Sequence, residues 1–153
     1  MQFYAAYQDN ICTEDIRIFA MISKVVRRLP DLVFDSNDQE WKGYANQVSC
    51  HLICRALARY FDVSVHDGYF TPGYQHSWLK TKNGTCVIDV YPVAGVNSFA
   101  VTANWPSPWA KLYQESDKFK EKFQTPEFIA NLEKTANAVA ETILQLDSEP
   151  LLQ

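Results

Sequence analysis

QHSWLKTKNGTCVIDVY, residues 75–91, reads as two short strands folded back on a tight turn. Asn83-Gly84 is the strongest short-range hairpin signal, because a type I′ turn needs positive φ at both central residues. With that turn, Lys82 pairs with Thr85, and pairing outward sets Leu79 against Ile88, Trp78 against Asp89 and Ser77 against Val90. Alternation then gives one face to Leu79, Cys86, Ile88 and Val90, expected as core. The other face holds His76, Trp78, Val87, Asp89 and Tyr91, with His76 and Asp89 as diagonal neighbours. A turn one residue longer would carry Asp89 to the opposite face, so the pair stands or falls on register.

The competing reading is an ordinary strand-end carboxylate and a surface histidine. Against it, Asp89 lies between Ile88 and Val90, where an acid is disfavoured and needs a partner. An imidazole held by a carboxylate is the orienting half of a nucleophilic site. Cys50 is the thiol best placed to complete it. It falls in the first turn of a helix expected from Ser49 to Phe61, SCHLICRALARYF, where unpaired N–H groups and the helix dipole favour a thiolate and an oxyanion. Cys54, one turn on, and Cys86, on the apolar hairpin face, read as core thiols, and Cys12 has no activating neighbour. His51 points about 100° away from Cys50 on the helix. His66 and Asp67, adjacent on a strand, face opposite sides.

The chain has 153 residues, 47% of them hydrophobic and 21% charged, which suits one folded domain over residues 1–153. A net charge of −4 argues against a nucleic-acid partner. No apolar run reaches the roughly 20 residues that span a bilayer, and MQFYAAYQDN is unlike a signal peptide. The expectation is a cytoplasmic protein with no membrane partner. Four cysteines without an export signal do not suggest disulfides. Cys50, His51 and Cys54 are too few for a zinc site, so neither a metal nor a cofactor is expected.

Elsewhere, residues 13–29 predict a helix with Thr13 as its cap and Ile16, Phe19, Ile22, Val26 and Leu29 as its inner stripe. Residues 31–46 read as loop. VSVHDGYF reads as a strand, and the segment after Pro92, including ANWPSPW, as a loop packed over one end of the sheet. A last helix runs from about Pro126 to Leu146, with Phe128, Leu132, Val139, Ile143 and Leu146 inward. The fold class is α+β.

The ordered pieces SCHLICRALARYF, VSVHDGYF, HSWL and VIDVYP resemble the transglutaminase-like branch of the papain-fold cysteine enzymes. Their compact spacing is also similar to that of small proteases that remove leader peptides. The likeness covers about residues 44–92 and departs from the family in having NQVSC where glycine commonly precedes the cysteine helix. It implies a Cys-bearing helix packed on a small antiparallel sheet and a catalytic Cys50, His76 and Asp89. It also implies acyl chemistry on a peptide or protein amide: hydrolysis, deamidation or transamidation through a thioester. Gln47 is either the side-chain oxyanion donor that the same likeness implies or a solvated loop residue. Trp78 is expected either to line the substrate site and shield the pair or to be a core aromatic. Two other readings stay open: a peptidoglycan or small-amide cysteine amidase, and an inactive binding module on the same fold.

Overall fold

The computed structural model describes residues 4–6, 12–29, 50–70, 74–84, 86–90, 100–103 and 112–150. Among the described residues, three helices and a mainly antiparallel sheet make up the α+β architecture: α1 (Thr13–Arg28), α2 (Cys50–Ala58) and α3 (Pro126–Ser148), with strands β1 (Tyr4–Ala6), β2 (Val63–Phe70), β3 (Tyr74–Thr81), β4 (Cys86–Asp89), β5 (Ala100–Ala103) and β6 (Tyr113–Glu115). The strand order is β1-β5-β4-β3-β2-β6. Of these neighbours, β1 and β5 run parallel and the others antiparallel.

The hairpin register is the one the turn signal predicts, with Leu79 opposite Ile88 and Lys80 opposite Val87. The turn itself sits differently. Gly84 N–H donates to the Thr81 carbonyl at 2.9 Å, so the reversal begins at Thr81, with Gly84 at φ 68°. The Thr81 hydroxyl accepts from Cys86 N–H and donates to the Cys86 carbonyl, both at 3.2 Å. A side chain thus closes the last rung, and the register survives a longer connection because its parity is unchanged.

The expected core face is buried: Leu79, Cys86, Ile88 and Val90 join Ile22, Ile53, Cys54, Leu57 and Val139 in one cluster. Helix α2 lies between β3 and α3, so nearly all of it is buried rather than one stripe. It ends at Ala58, short of the predicted Phe61, and leaves Tyr60 exposed. In α1 the N-cap is Cys12 in place of Thr13, and its side chain makes no capping bond to the helix. The buried face is Asp15, Ile18, Ile22, Ser23 and Val25, while Ile16 is 45% exposed. Of the predicted stripe, Ile22 is core and Phe19, Val26 and Leu29 pack against it, whereas Ile16 gives way to Asp15, which turns inward to accept from the Asn83 side chain at 3.2 Å. Helix α3 is capped by Thr125, whose hydroxyl accepts from Phe128 N–H at 3.2 Å; the predicted Phe128 and Val139 are buried and Leu132, Ile143 and Leu146 pack against the core, while Thr135, Ala136, Ala138 and Thr142 are buried without having been predicted.

Strands β1, β5 and β6 are absent from the sequence reading, which took the chain after Pro92 as loop. They are only three or four residues long, too short for an alternation pattern to register. The ANWPSPW rings lie outside the described residues apart from Ala103.

Strand β6 joins the sheet edge at Gly68, which pairs with Glu115. A Cβ at Gly68 would lie 1.8 Å from the Gln114 carbonyl oxygen, so only glycine admits β6 at this distance. Gly68→Ala is expected to cost about 2–3 kcal/mol, the upper range for overpacking. A urea midpoint unchanged from wild type would show that β6 does not depend on this contact.

Candidate active site

Register dictates which side chains meet. On β3 and β4, His76, Trp78 and Asp89 share one face, and Ser77, Leu79 and Ile88 share the other. His76 Nε2 donates to Asp89 Oδ2 at 2.8 Å, with both residues buried. Tyr113, brought in by β6 opposite Phe70, donates its hydroxyl to the same carboxylate oxygen at 2.8 Å. The first turn of α2 lies over the same end of β3, and the Cys50 side chain is close enough to His76 to raise its pKa. With Nε2 committed to Asp89, Nδ1 is the ring nitrogen left for the thiol.

Burial alone would lower the His76 pKa. The Asp89 carboxylate, Cys50 and the hydrogen bond to Asp89 outweigh it and push it up to about 10. At neutral pH the ring is therefore an imidazolium between a carboxylate and a sulfur. Phe70 and Trp78 enclose it, at centroid distances of 6.0 and 6.3 Å. Trp78 has no exposed surface and packs on Tyr113 at 5.1 Å, so it walls the pair from behind rather than facing outward. Its indole N–H has no partner among the described residues.

A second buried network occupies the other face of β3. Ser77 Oγ donates to Asp67 Oδ1 at 2.6 Å and lies 2.6 Å from His51 Nδ1. Because serine's one proton is spent on Asp67, His51 Nδ1–H must donate to Ser77. Arg55 closes the set, giving hydrogen bonds to Asp67 Oδ2 at 2.8 Å and to the His51 carbonyl at 3.2 Å, with its guanidinium 3.8 Å from the Phe123 ring centroid. Burial, aided by Lys122, Arg55 and His76, lowers the His51 pKa to about 2, so this ring stays neutral.

The four cysteines separate clearly. Cys54 donates to the Ser77 carbonyl at 3.5 Å, and burial drives its pKa well up. Burial, with Asp15 and Cys12 nearby, pushes Cys86 up to about 12. Cys50 is the thiol that acts on His76. Gln47 and Ser49 lie outside the described residues. His66 bonds Ser64 Oγ at 2.9 Å and Glu115, on the face opposite Asp67. Among the described residues no His, Cys, Asp and Glu cluster could hold a metal ion, and no helix is long and apolar enough to cross a membrane.

Sequence reasoning missed Tyr113 and the Ser77–Asp67–Arg55 set. Asp67 meets Ser77 through the β2–β3 register, for which the sequence offered no two-residue turn. Tyr113 sits in a three-residue strand without flanking signals. No protein-family model, curated protein or solved structure matches the chain.

The two histidines give stability a defined pH shape. His76 has its folded pKa raised from 6.5 to about 10, so its contribution is full below pH 6.5 and is lost as pH rises toward 10. His51 has its pKa lowered from 6.5 to about 2, so its contribution is full above pH 6.5 and is lost as pH falls toward 2. Urea midpoints across pH should flatten on the alkaline side in His76→Gln and on the acid side in His51→Gln. An alkaline limb unaltered by His76→Gln would contradict the charged-ring assignment. Tyr113→Phe should lower stability by about 2 kcal/mol, as expected for a hydrogen bond to a charged group; a midpoint within error of wild type would show that the phenol contributes nothing.

Proposed function

We propose that the protein is a thiol-dependent acyl-transfer enzyme acting on amide bonds, built on a papain-like, transglutaminase-like fold. The observation that carries this reading is the His76 ring, hydrogen-bonded to Asp89 and near Cys50 at the start of α2.

In the proposed reaction the Cys50 thiolate attacks an amide carbonyl carbon while His76 holds the proton. The tetrahedral intermediate collapses, the nitrogen leaves with the proton from His76, and a thioester remains. Water or an amine then attacks the thioester, giving its proton back to His76, and the thiolate departs. Asp89 keeps the ring oriented and its charge stabilised. The Cys50 backbone N–H, at the helix start, is the proposed oxyanion donor together with Gln47. With Cys50 only 3% exposed, an extended peptide or a side-chain amide fits better than a folded surface. Hydrolysis, deamidation and transamidation share these steps and differ only in the second nucleophile.

The same low exposure favours a second reading, a binding module that keeps the fold without turnover. Site-resolved iodoacetamide labelling separates the two. For an enzyme, Cys50 labels faster than Cys54 and Cys86, and its rate near neutral pH falls roughly tenfold in His76→Ala, because the thiolate is the reactive form. Equal labelling of Cys50 and Cys54, indifferent to His76, would leave the binding module standing. Once a substrate is in hand, Cys50→Ala should abolish turnover with the fold intact.

A further inference from the structure

One oxygen of Asp89 is shared. His76 Nε2 donates to Oδ2 at 2.8 Å from β3, and the Tyr113 hydroxyl donates to the same atom at 2.8 Å from β6. A carboxylate oxygen offers two lone pairs, so the two donors draw on one centre. The phenol is held there by its own packing. Its ring lies 5.1 Å from Trp78, 5.1 Å from Phe70 and 6.4 Å from the His76 ring. Its backbone pairs with Phe70 in the sheet. Burial, the Asp89 charge and the hydrogen bond between them push the Tyr113 pKa well up, so the phenol keeps its proton and stays a donor.

Two donors on one oxygen compete. A hydrogen bond to a carboxylate stabilises its charge and draws density from the accepting atom. The more Tyr113 takes from Oδ2, the weaker the attraction that keeps the extra proton on the imidazole. Around that ring, Asp89 on β4 and Cys50 on α2 favour its charge, while His51 on α2 is itself neutral at ordinary pH. Tyr113 acts in the opposite sense, through Asp89. An acid–base group works best with a pKa near the pH at which it acts. A ring pushed up to about 10 suits a thiolate but resists giving its proton away. A second donor on Oδ2 lessens that resistance and leaves the orienting carboxylate in place.

We propose that Tyr113 is a positioning residue of the acyl-transfer site: by sharing Asp89 Oδ2 with His76, it limits the carboxylate's hold on the imidazole proton, so that the ring can pass this proton to the leaving nitrogen. The catalytic half of the inference rests on the acyl-transfer reading above, whereas the sharing of Oδ2 is a property of the three side chains themselves.

The test follows the His76 ring by NMR in the full chain carrying isotope-labelled histidine, with the signal assigned from its loss in His76→Gln. Tyr113→Phe keeps the aromatic ring and loses the hydroxyl. In it the proton affinity of His76 should rise about three- to tenfold, a part of what a hydrogen bond to a charged group is worth. An ortho-fluorinated tyrosine at position 113 is a more acidic phenol and a stronger donor, and should lower that affinity instead. A His76 titration that stays put, or that moves the same way in both proteins, overturns the proposal whatever happens to the urea midpoint, and leaves Tyr113 a structural residue. If Tyr113→Phe does not fold, the fluorinated protein decides: a lowered affinity supports the proposal and an unchanged one overturns it. Labelling of Cys50 judges the acyl-transfer reading separately. A Cys50 no faster than Cys54 and indifferent to His76→Ala overturns that reading and the catalytic half of the inference, while the titration alone decides whether Oδ2 is shared as described.

Discussion

Asp89 is a carboxylate with 1% of its surface exposed, set in an apolar strand. Removing such a charge from water costs several kcal/mol unless donors surround it. His76 Nε2 and the Tyr113 hydroxyl both point at Oδ2 from 2.8 Å. Each donor arrives by a different route: His76 along the hairpin, Tyr113 on the far edge strand. Satisfying one acid therefore ties β4 to β3 and fixes the distant edge of the sheet as well.

Two consecutive residues of β3 meet two consecutive residues of α2. Because strand side chains alternate, His76 and Ser77 cannot serve the same polar network. His76 faces a carboxylate and becomes charged; Ser77 turns the other way, bridges Asp67 and His51, and leaves that imidazole neutral. One dipeptide thus holds two histidines in opposite protonation states, one pushed up to about 10 and the other down to about 2. The difference comes from their neighbours: a carboxylate touches the His76 ring, whereas burial beside Lys122 and Arg55 disfavours charge on His51.

The hairpin was legible because Asn83-Gly84 carries its geometry in two residues and the apolar alternation around it has one consistent register. The turn could be misplaced by a residue while His76 and Asp89 still met, since side-chain parity survived. Helix α3 was legible through Pro126 and its apolar spacing. The face of α1 was legible in Phe19, Ile22, Val26 and Leu29 but not in its first turn, where Ile16 is exposed and Asp15, a charged residue, turns inward to meet Asn83. Tyr113 and Asp67 were hidden for a different reason. Their partners lie across strand pairings set by β2, and the sequence of a three-residue edge strand holds too few positions to declare its neighbours.

The bonds from His51 and Cys54 to Ser77 pin the start of α2 to β3 at the place where Cys50 reaches His76. That junction is enclosed by the main core and by the Phe119–Phe123 rings. Helix and strand can therefore separate there only by exposing the interior of the whole domain. The thiol–imidazole spacing is then not an independently adjustable gate. It appears when the chain folds and vanishes when it unfolds, so the fraction of molecules holding the pair tracks global stability, and a mutation far from Cys50 that weakens the fold removes the pair without touching it.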